Sequence, residues 1–317
     1  MMKKVVILNA NYPEYSIEHA ILDPLGLEVV DVECGKDPEK VREAVLDASA
    51  IMTRETEIPG DLIRELTKCE IIVRYGVGVD NFDCEAAAEQ HIYVANTPTY
   101  GTDSVAEHAV ALMFACARRI AKRDRDTRAG KWDIGATEPL YTFAGKTLGV
   151  YGLGKIGRTF AQKVSGLGWG RVIGYDKYAT DVPGIELVDE DTLFAEADVI
   201  SLHSPLTPET HHVICAERLA QMKPNAILVN TGRGGLVDTE ALADALREGQ
   251  IFAAGIDVFE EEPPADGNPL FALDNVTLSD HTGWYSVESL NNLHRMAAEE
   301  VARVMQGQEP EAWVNRW

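Results

Sequence analysis

Three polar residues in the second half of the 317-residue chain each stand just beyond a short apolar run: Arg233, Glu262 and His281. An arginine binds a carboxylate bidentately and keeps its charge, and a histidine exchanges protons near neutral pH. A neighbouring carboxylate would stabilise the charged histidine. Such a set could polarise a carbonyl and protonate the alkoxide formed when that carbonyl is reduced. Taken singly, a surface arginine, a solvated glutamate and a capped histidine remain the alternative.

A glycine-rich turn supplies the second chemical feature. The segment Gly152–Gly157 reads G-L-G-K-I-G, follows the apolar run Thr147–Tyr151 and precedes a helix-like stretch. In this context Gly152 would make a tight turn, Gly154 would let a pyrophosphate touch the backbone, and Gly157 would let helix and strand pack closely. The helix N-terminus would attract the pyrophosphate. The motif therefore predicts a dinucleotide site.

The same motif predicts an acidic residue about 20 positions later, which binds the ribose hydroxyls. Asp176 follows the apolar run Arg171–Tyr175 at about that distance from the turn. A carboxylate there would repel a 2′-phosphate, so NAD is predicted rather than NADP, although Lys177 weakens the discrimination. With the three polar residues, this predicts hydride transfer between NAD and the C2 atom of a keto acid.

Apolar runs and helix-like segments alternate along the chain, which predicts parallel α/β sheets. The predicted strands are Lys4–Leu8, Leu27–Val30, Ala50–Met52, Ile71–Arg74, Ile92–Ala95, Thr147–Tyr151, Arg171–Tyr175, Val199–His203, Ala226–Asn230, Ala253–Asp257 and Val276–Ser279. The predicted helices include Asp37–Asp47, Asp61–Lys68, Arg158–Ser165, Glu288–Met305 and a long helix opened by a Ser104/Glu107 capping box. Ligands bind at the carboxyl ends of such strands, where the polar residues can converge.

The length suggests two domains, at about 150 residues for each. We expect two Rossmann-like, doubly wound parallel-sheet domains, with the cofactor domain inserted into the substrate domain. Residues 99–285 are predicted to bind NAD, and residues 1–98 with 286–317 to form the substrate domain. The return of the last helix to the first domain rests mainly on the family resemblance given below.

The charge balance of 29 basic and 51 acidic side chains, a net −22, argues against nucleic-acid and anionic-membrane partners. The basic stretch Arg118–Arg128 is interpreted as a solvated helix face or a subunit contact, with an anionic partner as the alternative. Five cysteines without a C-x-x-C pair, and no apolar span long enough for a membrane, predict a cytoplasmic protein. No metal site is predicted: His211 and His212 are interpreted as loop residues whose rings project in different directions.

Over essentially its whole length the chain resembles the D-isomer-specific 2-hydroxyacid dehydrogenase family, including its phosphoglycerate dehydrogenase branch. The matching stretches are Arg74–Asn81, Ser104–Glu107, Gly152–Gly157, His203–Thr207, Asn230–Gly235 and Gly255–Pro263. The resemblance implies an NAD-dependent oxidoreductase, usually a homodimer, that acts reversibly on a small 2-hydroxy or 2-keto acid. Phosphoglycerate, glyoxylate, hydroxypyruvate and branched or thioether keto acids remain open as substrates.

The resemblance also implies a role for each site residue. Arg233 would bind substrate, Glu262 would pair with His281, and His281 would be the acid/base. The substrate carboxylate would meet the backbone N–H groups of Val77 and Gly78, with Arg74 as an extra contact. The implied NAD contacts outside the glycines are Lys155, Ile156, Asp176, Ser204, Thr231 and Asp257.

Several details of the sequence differ from the family pattern. Asp280 stands before His281, where the family more usually has proline, and Glu260 and Glu261 leave a shift in the pairing glutamate open. Trp284 and the two residues after it resemble the corepressor branch, the C-terminal binding proteins, in which this tryptophan lines the substrate pocket; a tryptophan packed under the nicotinamide loop is the alternative. An NAD-sensing scaffold with weak dehydrogenase activity is therefore the second functional hypothesis. Formate dehydrogenase fits poorly, because that branch has glutamine where Glu262 stands.

Overall fold

The computed structural model describes residues 2–132 and 138–317, which divide into two compact units. Met1–Gly101 with Ser286–Trp317 form the first unit, and Thr102–Tyr285 form the second. The strands are β1 Lys4–Leu8, β2 Glu28–Val32, β3 Ala50–Thr53, β4 Ile71–Arg74, β5 Tyr93–Ala95, β6 Thr147–Tyr151, β7 Arg171–Tyr175, β8 Glu186–Leu187, β9 Val199–Leu202, β10 Ile227–Asn230, β11 Ala253–Ile256 and β12 Val276–Leu278. The helices are α1 Ser16–Leu22, α2 Pro38–Val45, α3 Gly60–Ile63, α4 Cys84–Glu89, α5 Thr102–Arg118, α6 Ile120–Arg128, α7 Lys155–Val164, α8 Glu190–Glu196, α9 Ala216–Gln221, α10 Thr239–Arg247 and α11 Val287–Met305. None of these described helices combines the length and apolar character that crossing a bilayer requires.

The first unit is a five-stranded parallel sheet in the order β2-β1-β3-β4-β5. Its central strands are buried: Val5 to Leu8 and Ala50 to Met52 are all 0% exposed. A parallel sheet covered by helices on both faces needs such continuous apolar strands. The final helix, α11, belongs to this unit and begins with a capping box between Ser286 and Ser289.

The second unit is a seven-stranded sheet in the order β12-β11-β10-β9-β6-β7-β8, with every pair parallel. The strands β9, β10 and β11 are buried at every position. The chain builds outward from β6 in one direction through β7 and in the other through β9. The carboxyl ends of β6 and β9 therefore flank a topological switch point, where doubly wound sheets bind their ligands.

Two local predictions from the sequence are wrong, and one short strand was missed. Helix α5 begins at Thr102, so Ser104 lies inside the helix rather than at its cap. The predicted helix Asp61–Lys68 is helical only over α3, because Glu65 and Leu66 make tight bonds to the carbonyl three residues back and the chain leaves the helix. The two-residue strand β8 was not predicted, since two residues are too short to show an alternating pattern.

The basic stretch Arg118–Arg128 is divided by a backbone reversal. Arg119 has a φ of 51°, in the left-handed region, and separates α5 from α6. Acidic partners engage several of its charges: Lys122 lies 2.8 Å from Asp126, and Arg128 lies 2.8 Å from Asp124. The stretch is therefore a set of ion pairs along α6 rather than a uniformly cationic face.

The core of the second unit should be sensitive to lost volume. Phe194 is 0% exposed among the buried residues of that core, whereas Phe271 is 48% exposed. We expect Phe194→Ala to lower the free energy of unfolding by about 3–5 kcal/mol, since it removes buried area and leaves a cavity. Phe271→Ala is the matched control and should change it by less than about 1 kcal/mol. Urea unfolding followed by circular dichroism measures both, and equal losses would contradict this placement of the core.

Candidate active site

Arg233 stands on a clamped turn directly after β10. The buried side chain of Asn230 donates to the Arg233 carbonyl at 2.9 Å and accepts from the Gly232 N–H at 3.0 Å. The Arg233 side chain is exposed, and its Nη1 atom donates to the Gly232 carbonyl at 2.8 Å. The backbone of the turn is therefore fixed, and the Arg233 side chain remains exposed.

The turn of Arg233 lies against the loop that carries Glu262. A Cβ atom placed on Gly234 would stand 1.9 Å from the Phe259 carbonyl, which no side chain can occupy. Bare backbone is required for the two segments to approach this closely. The fold thus places the arginine turn beside the glutamate loop, although they are separate in the sequence.

Glu262 and His281 form a direct pair. The Oε2 atom of Glu262 lies 2.6 Å from Nδ1 of His281, and its Oε1 atom accepts from the Phe259 N–H at 2.9 Å. His281 has a φ of 56°, so its backbone is left-handed. Both side chains remain partly exposed, at 36% and 45%. The pair orients the imidazole through Nδ1, which leaves Nε2 as the nitrogen that can exchange a proton with another molecule.

Glu260, one of the alternatives for this pairing, has another partner. Its Oε1 atom lies 2.6 Å from Nε2 of His212, and its Oε2 atom accepts from the Thr239 N–H at 3.0 Å. Burial would raise the pKa of Glu260, but the hydrogen bonds from Thr239 and His212 lower it. Glu260 therefore anchors the loop, and Glu262 is the residue that meets His281.

The prediction that the rings of His211 and His212 point apart is wrong. Their centroids are 3.9 Å apart with the planes 26° from parallel, so the rings stack. His212 has a φ of 51°, which removes the usual alternation of neighbouring side chains. Within the described residues, no group of three or more histidine, cysteine, aspartate or glutamate side chains is arranged to hold a metal ion.

The glycine-rich turn follows β6 and is packed by bare backbone. Gly152 has a φ of 90°, and a Cβ there would stand 2.6 Å from the Ser204 nitrogen beyond β9. A Cβ on Gly157 would stand 2.1 Å from the Gly152 carbonyl oxygen. Gly154 differs, because no other atom lies within 4 Å of a Cβ built there. The turn thus fits tightly against the sheet and has open space at its tip, where α7 begins with Lys155 and Ile156.

Asp176 closes the other side of this turn. Its carboxylate accepts backbone N–H bonds from Leu153 at 2.8 Å, Tyr178 at 2.8 Å and Ala179 at 3.0 Å. Burial would raise the pKa of Asp176, but these bonds, with the charge of Arg158, lower it. Lys177, which weakened the cofactor prediction, directs its ammonium to Glu209 at 3.5 Å. A fixed negative charge therefore stands at the end of β7.

Two buried polar atoms near these strand ends lack a hydrogen-bond partner among the described residues: Oγ1 of Thr231 and Nδ1 of His203. Thr231 directly follows β10 and is 8% exposed. Burial lowers the pKa of His203 to about 3, so its ring is neutral. An unsatisfied buried hydroxyl is costly unless a ligand or water completes it.

Asp257 and Trp284 flank the His281 turn. Asp257 follows β11, is 2% exposed and accepts the backbone N–H groups of Thr282 and Gly283 at 3.1 and 3.0 Å. Trp284 is partly exposed, and its ring meets that of Tyr285 edge-on at 5.5 Å. The family resemblance implied Asp257, whereas no sequence pattern indicated the side chains that surround it, His108 and Ser279.

The first unit holds the other candidate residues on the segment after β4. Arg74 is the last residue of that strand and is partly buried. Val77 is 45% exposed, and among the described residues no protein acceptor pairs with the N–H groups of Val77 and Gly78. Two adjacent unpaired backbone donors are suited to an anionic group.

Comparison with known proteins identifies the family. The model described as "D-isomer specific 2-hydroxyacid dehydrogenase, NAD binding domain" matches residues 110–283. The chain belongs to the D-isomer specific 2-hydroxyacid dehydrogenase family. The matched residues make up most of the second unit, which is therefore an NAD-binding domain.

Relatives of this family are similar over most of the chain. The chain is 43% identical to the D-3-phosphoglycerate dehydrogenase of Methanocaldococcus jannaschii over 93% of its own length but only 56% of that protein. It therefore spans about half the length of that relative. It is 40% identical to the glyoxylate reductase of Thermococcus litoralis, covering 99% of this chain and 98% of the other. The crystal structure of D-lactate dehydrogenase with NAD+ from Lactobacillus jensenii superposes with a TM-score of 0.85 at 27% identity, over 99% of this chain and 100% of that one.

The second unit fits the dinucleotide that its family binds. A bound dinucleotide would have room at Gly154 and could accept from the N–H groups at the start of the ten-residue helix α7. It could also pair with the Thr231 hydroxyl, which lacks a hydrogen-bond partner among the described residues. The acidic Asp176 suits ribose hydroxyls and opposes a phosphate in their place.

Gly157→Ala tests this fit. The added methyl group would meet the Gly152 carbonyl and push α7 away from the turn, so we expect the affinity for NADH to fall by at least about tenfold, a loss of about 1.4 kcal/mol. Gly166→Ala is the matched control, because nothing lies within 4 Å of its Cβ position. Fluorescence titration with NADH measures both, and equal affinities in the two variants would contradict the close approach.

Proposed function

We propose that the chain is an NAD-dependent D-2-hydroxyacid dehydrogenase in which His281 is the acid/base. The observation that carries the proposal is the 2.6 Å pair between Glu262 and Nδ1 of His281, set beside the arginine turn in an NAD-binding domain. When bound, NADH supplies the hydride that reduces C2 of a 2-keto acid. The residues of the chain bind the two reactants and move the proton.

The cofactor is held by backbone and by one carboxylate. The glycine turn with Lys155 and Ile156 receives the pyrophosphate, and Asp176 accepts the ribose hydroxyls. Ser204 and Thr231 stand at the same strand ends, where a bound NAD would give the Thr231 hydroxyl a hydrogen-bond partner. Asp257 would contribute to the nicotinamide end of the site by anchoring the turn that carries His281.

The substrate is held by cations and N–H donors. Within the second unit, Arg233 is proposed to bind the substrate and polarise its C2 carbonyl. In the first unit, the adjacent N–H groups of Val77 and Gly78, with Arg74, are suited to a carboxylate. His281, protonated and oriented by Glu262, donates its Nε2 proton to the oxygen on C2. In the reverse direction the same nitrogen removes the hydroxyl proton.

The family relatives suggest two substrate classes. One relative is a glyoxylate reductase matched along nearly its whole length, and another is a phosphoglycerate dehydrogenase matched over about half of it. We place this chain with small 2-keto acids, and Trp284 as an apolar wall of the pocket. We further propose a homodimer, as the family resemblance implies, and a cytoplasmic location, which the five free cysteines support.

A substrate panel tests the proposal. NADH oxidation would be followed with glyoxylate, hydroxypyruvate, pyruvate, 4-methylthio-2-oxobutanoate and phosphohydroxypyruvate, each at several concentrations. Turnover with at least one of them is expected. For every substrate except glyoxylate, whose product glycolate is achiral, chiral chromatography would identify the D-hydroxy acid. Tight NADH binding with no turnover on any of them would instead favour the NAD-sensing scaffold.

The role of His281 makes a quantitative prediction. His281→Ala should lower kcat by ~10²–10⁴-fold, because it removes the group that protonates the alkoxide. Glu262→Gln should lower it less, since the amide retains a hydrogen-bond partner but not the charge. His19→Ala removes an exposed histidine of the first unit and serves as the control. Near-normal kcat in His281→Ala, with NADH affinity retained, would remove His281 from its proposed role.

The charge of Asp176 makes a second prediction. Asp176→Asn removes the negative charge but keeps one oxygen acceptor, so we expect the ratio of NADPH to NADH affinity to rise by about tenfold or more. Asp181→Asn, on an exposed residue five positions further along the chain, should leave the ratio unchanged. Dissociation constants for both nucleotides would be measured by fluorescence titration. An unaltered ratio in Asp176→Asn would show that another group selects the cofactor.

A further inference from the structure

The carboxylate of Asp257 is the centre of a buried hydrogen-bond network. Its Oδ1 atom accepts from Oγ of Ser279 at 2.7 Å and from the Thr282 N–H at 3.1 Å, and its Oδ2 atom accepts from the Gly283 N–H at 3.0 Å. The backbone carbonyl of Asp257 accepts from the His281 N–H at 2.8 Å. Burial would raise the pKa of Asp257, but hydrogen bonds from His108, Ser279 and Gly283 lower it. The buried group is therefore an anion held by donors from the turn that carries His281.

His108 reaches this network from helix α5. Its Nε2 atom lies 2.8 Å from Oγ of Ser279 and 3.2 Å from Oδ1 of Asp257. The single hydroxyl hydrogen of Ser279 is directed to the carboxylate, which can only accept. The Ser279 oxygen must then accept from His108, so His108 carries a hydrogen on Nε2, which Oδ1 of Asp257 at 3.2 Å shares.

This arrangement differs from a nucleophilic serine relay. In such a relay the carboxylate holds Nδ1 of the histidine, and the serine hydroxyl donates to Nε2. Here the serine and the carboxylate both meet Nε2 of His108, and the hydroxyl donates to Asp257. Ser279 is therefore a bridge between two groups rather than an activated nucleophile.

The turn is seated against both members of the network. A Cβ on Gly283 would stand 2.7 Å from Oδ2 of Asp257 and 3.3 Å from Cδ2 of His108. His281 itself has a left-handed φ of 56°. A residue with a side chain keeps this conformation only where its surroundings hold it there.

We propose that His108 is a positioning residue for His281, acting through Ser279 and Asp257 on the turn 279–283. The proposal rests on the proposed function, in which His281 is the acid/base. His108 does not exchange the substrate proton. It holds Asp257 in the orientation that fixes Thr282 and Gly283, and so fixes the imidazole between them and Glu262.

Two substitutions distinguish the effect of the Nε2 hydrogen-bond donor of His108 from the effect of its ring volume. His108→Phe keeps the ring volume and removes the Nε2 donor, whereas His108→Gln keeps an N–H donor near that position. We expect His108→Phe to lower kcat by about 10- to 100-fold with little change in KM, as misplacement of a catalytic group does. His108→Gln should keep most of the wild-type kcat. His19→Phe is the control for removing a histidine from an exposed site.

Amide hydrogen exchange of the protein without substrate gives a readout that does not depend on turnover. In His108→Phe the amides of Thr282 and Gly283 should exchange faster than in the wild type, while those of β9 and β10 keep their protection. Wild-type kcat together with unchanged exchange at these two amides would overturn the proposal. Uniformly faster exchange across the second unit would also overturn it, since His108 would then be a general stabilising residue.

Ser279→Ala keeps the inference testable if His108→Phe fails to fold. Loss of the bridging hydroxyl should give the same lowered kcat and the same local exchange, and wild-type behaviour in this variant would refute the network. If the wild-type protein turns over no 2-keto acid, the proposed function fails. The exchange measurements then still decide whether His108 fixes the turn.

Discussion

The buried carboxylate of Asp257 is the constraint on which the turn that carries His281 depends. A charge that is 2% exposed is tolerated only when donors surround it. Those donors come from helix α5, from the residue after β12 and from the turn beyond it. Because the carboxylate must satisfy all of them at once, it converts the packing of α5 against the sheet into a fixed position for His281.

Close backbone contact is the second constraint. At the switch point the glycine turn after β6 touches the backbone after β9, and at the neighbouring strand ends Gly234 touches the backbone of Phe259. Side chains at these positions would separate segments that must meet for the site to exist. Arg233, Glu262 and His281 therefore keep exposed side chains on turns whose backbones are fixed.

Sequence patterns predicted the parts of this fold that local chemistry determines. The strands β6 and β7 have the bounds predicted, since each is a mostly apolar run whose carboxyl end is marked by a glycine or an acidic residue. Residue chemistry offered Glu262 as the carboxylate for His281, the family resemblance implied that the two pair, and the neighbouring glutamates left a shift of one position open. The contact between His108 and Ser279, which are 171 residues apart, gave no signal, because a histidine inside an amphipathic helix looks like any other polar position. Helix α3 was predicted too long because a tight turn ends it without changing the apolar pattern. The ring directions of His211 and His212 were mispredicted because left-handed backbone at His212 changes side-chain direction, which the pattern also does not show.

The second unit places two carboxylates around one histidine turn and gives them different surroundings. Asp257 is buried, and four donors from His108, Ser279, Thr282 and Gly283 surround its oxygens. Glu262 is 36% exposed, and the partners described for it are His281 and a single backbone N–H. A carboxylate saturated by fixed donors serves geometry, because moving it would break every one of those bonds. A partly exposed carboxylate with one imidazole partner can instead adjust when that imidazole gains or loses a proton. Burial and the number of hydrogen-bond donors therefore distinguish the two carboxylates, whereas residue type alone does not.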